Sequence, residues 1–134
     1  MEVPAEVIDY LEEFVQLVIG VHEMHLLGGA GPIDESTVDQ LREVYRRLHE
    51  MEVPSDAEEM NLAFIIYVSV LDEKCLCHIF AEAHAGDAQG EYYRECENRA
   101  TNAAMDWMSN RFIPSRETFL QQYGLAAVEL GFPY

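Results

Sequence analysis

The chain has 134 residues and a mass of 15.3 kDa, a length that supports one domain with one hydrophobic core. It carries 25 Asp and Glu residues against 8 Lys and Arg residues, so the formal net charge is −17. This excess argues against direct binding to DNA, RNA or anionic membranes, which all attract cationic side chains. Because 49% of the residues are hydrophobic, a disordered acidic tail is excluded as well. We therefore expect one folded, acidic domain spanning residues 1–134.

The sequence also indicates the cellular compartment of the protein. The first six residues include two glutamates and no basic residue, unlike the start of a secretory signal peptide. The most apolar stretches, 14–21 and 60–71, are shorter than the roughly 20 residues of a membrane-spanning helix. Three cysteines do not make a disulfide framework. The side chains of Cys75 and Cys77, two residues apart on a predicted helix, point in different directions and cannot form a disulfide with each other. These features predict a cytoplasmic protein whose reduced thiols serve as small packing residues.

Hydrophobic residues recur with a helical period, and no segment alternates as a strand would. The first predicted helix covers 4–27 and ends at the glycine-rich segment 28–31. The second begins after Asp34, a good N-cap residue, and ends before Pro54. We expect its buried face to consist of Val38, Leu41, Tyr45 and Leu48.

The later helices complete a bundle. Ser55 and Glu58 have the spacing of a capping box that opens a third helix over about 56–85, and its apolar half predicts a central position. A fourth helix over 91–111 carries possible Glu91–Arg94 and Glu95–Arg99 pairs and ends at Pro114. Ser115 is the expected cap of a fifth helix, which ends at Gln122 or, past Gly124, at Leu130. We expect the fourth helix to bury Tyr93, Cys96, Ala100, Ala103, Ala104 and Trp107. The predicted fold is therefore all-α, a compact single-domain bundle of four to five antiparallel helices.

Acidic residues are concentrated in the first half of the chain. Residues 1–60 hold 15 acidic and 3 basic residues, whereas residues 61–134 hold 10 and 5. On the second helix Arg42, Arg46 and Arg47 have acidic neighbours, so we expect them to be neutralised locally. Two groups of carboxylates are expected to stay largely unpaired. We call them the acidic stripe (Glu2, Glu6, Asp9 and Glu13, with Glu12 beside them) and the acidic junction (Glu50, Glu52, Asp56, Glu58 and Glu59).

The acidic stripe suggests a function. Carboxylates three or four residues apart on a helix are separated by about 5–6 Å along its axis, of the order of the spacing of phosphates on a nucleic-acid strand. We therefore expect a non-enzymatic inhibitor, monomeric or homodimeric, that occludes the basic groove of a nucleic-acid-binding protein. Tyr10, Phe132 and Tyr134 are candidate anchors at the rim of this interface. A solvated acidic face that serves only solubility is the alternative interpretation.

No sequence motif identifies a family. In charge, size and helicity, the chain is similar to small acidic inhibitors that act as nucleic-acid mimics. These include phage anti-defence proteins and immunity proteins against nuclease toxins. The similarity implies a basic protein partner and no bound cofactor.

A second hypothesis is a helical bundle that binds zinc, another transition metal or a small cofactor. His22 and His25 lie near the apolar face of the first helix, and Cys75, His78 and Glu82 share a face of the third. Facing helices with such residues can assemble a metal site. The two histidines are, however, one residue too close for the zinc-protease motif.

Two further possibilities follow from the same residues and helices. Cys75 or Cys77 beside His78, with Glu82 nearby, suggests a nucleophile or an acid–base pair, but a thiol in the middle of a buried helix is usually inert. We therefore expect no enzymatic activity. The last possibility is a homodimer in which part of the third or fourth helix forms the interface.

Overall fold

The computed structural model describes residues 2–28 and 32–134 as a helical bundle, and no strand occurs among them. The predicted all-α class is therefore confirmed. A 3₁₀ turn precedes the third helix, and a π-helical segment joins the fourth helix to the fifth. Within the described part of the chain, no helix has the length and apolarity to cross a membrane. The elements are α1 (Ala5–Glu23), α2 (Glu35–Glu50), the 3₁₀ turn (Ser55–Ala57), α3 (Glu58–Ala83), α4 (Ala88–Trp107), the π segment (Met108–Phe112), α5 (Ile113–Gln121) and α6 (Ala127–Leu130).

Helix α3 occupies the centre of the bundle, as its apolar sequence predicts. It packs against α2, α4, α5 and the π segment, and Met60 and Phe64 on it are fully buried. Phe14 of α1 and Phe112 of the π segment close around Phe64, with ring centroids 5.6 Å and 5.2 Å from it. Burial of these rings supplies a large share of the hydrophobic stabilisation of the core.

Two predicted features of α1 and α2 need correction. Helix α1 ends at Glu23 rather than near Leu27, because His25 adopts a left-handed conformation with φ of 52°. Gly29, Ala30 and Gly31 of the expected stop lie outside the described residues. Tyr45 is 40% exposed and not part of the core.

Asp34 is the N-cap of α2, as predicted. Its side chain accepts hydrogen bonds from the backbone N–H groups of Ser36 and Thr37, while the Thr37 hydroxyl accepts one from the Asp34 N–H. This reciprocal pairing satisfies amides that the first turn of a helix leaves without partners.

The other predicted caps are wrong. Ser55 lies in the 3₁₀ turn, and no side chain caps α3. The Ser115 hydroxyl donates instead to the backbone carbonyls of Arg111 and Phe112. Pro114 does not interrupt the chain of helices, because it stands in the first turn of α5, where a missing N–H costs little.

Helix α4 buries a narrower face than predicted. Ala100 and Ala104 are buried, whereas Ala103 is exposed and Tyr93, Cys96 and Trp107 are half-buried. Neither predicted ion pair on its surface forms: Arg94 binds Glu82 and Glu97, and Arg99 donates to the Cys96 sulfur.

Candidate partner-binding groove

The acidic stripe and the acidic junction meet at one open groove. Helix α1 forms one wall of the groove, and the segment between α2 and α3 forms the other. The volume of the groove is about 680 Å³. We call it the acidic groove, and its lining residues are Glu6, Val7, Asp9, Tyr10, Glu13, Glu52, Val53, Pro54, Ser55, Asp56 and Tyr123.

Local sequence explains why carboxylates face the groove. On α1 the buried residues Val7, Tyr10 and Phe14 turn towards the core, so Glu6, Asp9 and Glu13 at the flanking positions are exposed. Pro54 immediately precedes the 3₁₀ turn opposite α1, in an extended conformation that its fixed φ angle allows. This turn brings Glu52 and Asp56 to the same groove.

Few positive charges offset these carboxylates. Among the described residues, Glu6, Asp9 and Glu52 form no salt bridge, and the only guanidinium that pairs with a groove carboxylate is that of Arg47, 3.7 Å from Glu13. Both partners of this pair are about half exposed, so the pair stabilises the fold little. The groove therefore has a strong negative potential.

Tyr123 completes the groove, although its sequence position gave no sign of this role. It follows Phe119 by four residues, as a residue on one apolar helix face would, and its ring packs 5.4 Å from that of Phe119. Its hydroxyl donates to Asp56 across the groove. That hydrogen bond raises the pKa of Tyr123, and burial and the charges of Asp56 and Glu6 raise it further. The pKa shift reflects the convergence of carboxylates from both walls.

Half of the predicted acidic residues lie outside this groove. Glu50 pairs with Arg46, which also pairs with Glu43. Of the three arginines on α2, Arg46 is therefore the one neutralised by acidic residues of its own helix, as predicted. Arg42 reaches Asp72 on α3 instead. Glu12 lies on the opposite side of α1, beside an apolar depression. The predicted residues that do not line the acidic groove are Glu2, Glu12, Glu50, Glu58 and Glu59.

The predicted aromatic anchors do not lie at an exposed rim. Tyr10 is 3% exposed, its hydroxyl donates to Asn61 Oδ1, and burial raises its pKa. Phe132 is 7% exposed and packs on Phe14. Tyr134 is half-buried, and its backbone carbonyl accepts a hydrogen bond from Arg116. Phe132 and Tyr134 are held in the bundle because the last residues of the chain fold back onto α1 and α3.

The residues proposed for a metal site do not converge. His22 and His25 lie at the end of α1, with ring centroids 6.0 Å apart, next to Tyr134. Within the described residues no three His, Cys, Asp or Glu side chains are grouped as metal ligands. The other proposed ligands have separate contacts. The Cys75 thiol is buried, His78 binds Glu97 of α4, and Glu82 binds Arg94 of α4.

Those partners on α4 form a charge cluster that the sequence did not reveal. Glu97, buried between α3 and α4, accepts hydrogen bonds from Lys74 Nζ at 3.3 Å and Arg94 Nη1 at 3.1 Å. Its Oε2 also lies 2.8 Å from His78 Nδ1. Arg94 extends the cluster to Glu82 at 2.9 Å. These contacts offset the cost of burying the charges of Lys74 and Glu97, because Lys74 binds Glu97 and Glu97 also binds Arg94 and His78.

This cluster also separates the residues of the proposed catalytic pair. His78 binds Glu97, and burial raises the pKa of the Cys75 thiol to about 11. A thiol with such a pKa is mostly protonated at neutral pH and a poor nucleophile. The geometry thus gives Cys75 and His78 structural contacts.

The acidic groove gathers five carboxylates, and neither the charge cluster nor Cys75 lines it. Comparisons with protein-family models, curated proteins and solved structures find no match for this chain.

Proposed function

We propose that this protein is a non-enzymatic cytoplasmic inhibitor that binds a basic, nucleic-acid-binding protein through the acidic groove. The observation that carries the proposal is the convergence of five carboxylates from two separate chain segments on one groove. Those carboxylates belong to Glu6, Asp9, Glu13, Glu52 and Asp56. When this protein covers the partner's nucleic-acid-binding surface, the partner can no longer bind nucleic acid.

The shape of the groove suggests what enters it. Nucleic-acid grooves are concave and flanked by phosphates, and proteins read them with a protruding helix, loop or strand pair. An acidic groove flanked by carboxylates presents a similar arrangement of charge to such an element. We therefore expect a protruding segment rich in arginine, whose guanidinium groups bind carboxylates in a bidentate manner.

Apolar surface in the same groove adds to the expected affinity. Val53 and Pro54, both half-buried, lie between the acidic walls. Charges mainly raise the association rate and set the orientation, whereas desolvated apolar contacts slow dissociation. An entering segment with an apolar residue between arginines fits this pattern.

The experiment compares a groove variant with a charge-matched control. The groove variant carries Glu6→Gln, Asp9→Asn and Glu52→Gln, none of which breaks a salt bridge within the described residues. The control carries three neutral substitutions at exposed positions on α3 and α4, so that its net charge is the same. These control substitutions are Glu73→Gln, Glu91→Gln and Glu95→Gln.

Each immobilised protein is exposed to a lysate of the source organism at low salt and eluted with a salt step. A protein captured by the wild type is then purified, and its binding to a labelled DNA duplex and to single-stranded RNA is measured with and without the inhibitor. We expect the wild type and the control to displace nucleic acid. The groove variant should associate with the partner at least about 10-fold more slowly.

Two results would overturn the proposal. One is capture of the same partner at equal rates by the groove variant and the control. The other is a captured partner that binds nucleic acid equally well in the presence of saturating wild-type protein.

A further inference from the structure

Two cysteines face each other across α3 and α4, away from the acidic groove. Cys77 of α3 and Cys96 of α4 are both half-buried, and burial followed by the neighbouring Cys96 raises the pKa of the Cys77 thiol. Neighbouring residues pair across the same helices on both sides. His78 Nδ1 lies 2.8 Å from Glu97, and the ring centroids of Phe80 and Tyr93 are 5.2 Å apart.

Close packing of the two helices suits a covalent link. A disulfide requires Cα atoms within about 4.4–6.8 Å and side chains that point towards each other. One turn before Cys77, Lys74 Nζ lies 3.3 Å from Glu97 Oε2, so side chains of the two helices are in direct contact close to both cysteines. The third cysteine, Cys75, is fully buried and lies two residues from Cys77, so it points in another direction.

We propose that Cys77 and Cys96 form a reversible disulfide that cross-links α3 to α4 when the protein meets a low-molecular-weight disulfide such as oxidised glutathione. This site is independent of the proposed inhibitor function. It gives two of the three thiols a role in addition to the packing expected from the sequence.

The exchange takes place in two steps. The Cys96 thiol releases its proton to solvent, and its sulfur attacks one sulfur of oxidised glutathione. The glutathione S–S bond breaks, and the first glutathione thiolate leaves. The Cys77 thiolate, deprotonated in the same way, then attacks the Cys96 sulfur and displaces the second glutathione thiolate. The two protein thiols together lose two electrons when they form the disulfide. One molecule of oxidised glutathione takes up these electrons and, from solvent, two protons, which gives two molecules of reduced glutathione.

The surroundings of the two thiols set the order of attack. Burial raises the pKa of Cys77, and the adjacent Cys96 raises it further, so less thiolate is present at that position near neutral pH. Cys96 accepts a hydrogen bond from Arg99 Nη2 at 3.4 Å. We therefore assign the first attack to Cys96 and the second to Cys77.

The test treats the full chain with oxidised glutathione, alkylates the remaining thiols and maps tryptic peptides by mass spectrometry. Cleavage after Lys74, Arg94 and Arg99 separates Cys96 from the peptide that holds the other two cysteines. We expect peptide 75–94 to be linked to peptide 95–99 through Cys77, with Cys75 alkylated. The melting temperature should rise on the order of 10 °C and return to its starting value on reduction.

Variants make the assignment specific. Cys77→Ser and Cys96→Ser should each abolish the cross-link and the rise in melting temperature, whereas Cys75→Ala should retain both. A stable glutathione adduct without the cross-link, a bridge that includes Cys75, or an intermolecular disulfide would overturn the proposal. The peptide map of the unaltered chain decides between these outcomes even where a variant folds poorly.

Discussion

At the scale of single residues, the charge cluster around Glu97 governs stability in the second half of the chain. Lys74 is the only lysine in the sequence, and it is buried beside Glu97. Burial alone would raise the pKa of Glu97, but the hydrogen bond with His78 and the positive charges of His78 and Lys74 lower it overall. The ionised carboxylate therefore stabilises the folded state.

Glu97→Gln keeps the shape of the side chain and removes its charge, leaving Lys74 buried without a counter-ion. We expect the free energy of unfolding to fall by about 3 kcal/mol at pH 7, measured by urea denaturation. Because the pKa of Glu97 is lowered on folding, its contribution is complete above the ordinary value of 4.5 and is lost as pH falls through the lower folded value. The difference between wild type and variant should therefore shrink below about pH 4.5.

Glu95→Gln, at an exposed position two residues earlier, is the control for this substitution. It should change the free energy of unfolding by less than about 0.5 kcal/mol. An equally small effect of Glu97→Gln would show that the cluster contributes no net stability. A difference that does not depend on pH would show that the ionised carboxylate is not the source of the stabilisation.

At the scale of helices, two glycines illustrate how differently the same residue acts. Gly20 lies on the exposed side of α1, and a Cβ there would contact nothing within 4 Å. Gly90, in the first turn of α4, donates its N–H to Asp87 Oδ1 and is closely covered by the backbone of His84. The first glycine weakens its helix, whereas the second permits the tight connection between α3 and α4.

Alanine at each position tests this contrast. Gly20→Ala should raise the free energy of unfolding by about 0.5–1 kcal/mol, because alanine loses less backbone entropy on folding. Gly90→Ala should lower it by about 1–3 kcal/mol, because the new methyl group would lie 2.2 Å from the His84 carbonyl oxygen unless the turn shifts. Thermal unfolding of the two variants, monitored by circular dichroism, gives the comparison. Equal effects of the same sign would contradict the proposed role of the turn.

At the scale of the whole molecule, charge repulsion opposes folding. The formal net charge is −17, and the acidic groove places like charges from two chain segments near each other. Such repulsion destabilises the compact state and weakens as added salt screens it. A groove selected only for stability or solubility does not need this arrangement.

The groove variant defined above should therefore be more stable than the wild type, by about 0.5 kcal/mol at low ionic strength. The control variant, with the same net charge, should gain less, because its substituted residues do not line the acidic groove. Melting temperatures measured at low and at high salt test this, since the advantage of the groove variant should decrease as salt rises. If both variants gain equally, net charge rather than the groove accounts for the repulsion.

The sequence by itself determined the all-α class, the approximate helix positions, the central place of α3 and the Asp34 cap. These properties depend on residues a few positions apart, whose spacing is visible along the chain. Helix ends were less predictable. The left-handed His25 ends α1, and the π segment joins α4 to α5, whose first turn contains Pro114. Both features reflect local conformation under the constraint of packing.

Only the tertiary structure decided which distant residues meet. It joined Asp9 to Asp56 at one groove, buried Tyr10 against Asn61, and brought Cys96 to Cys77. Periodicity assigns a side chain to a helix face, but the neighbour of that face depends on how helices pack and where connections turn. The acidic stripe could therefore be predicted from the sequence, whereas the groove that it lines is formed only when the helices pack together.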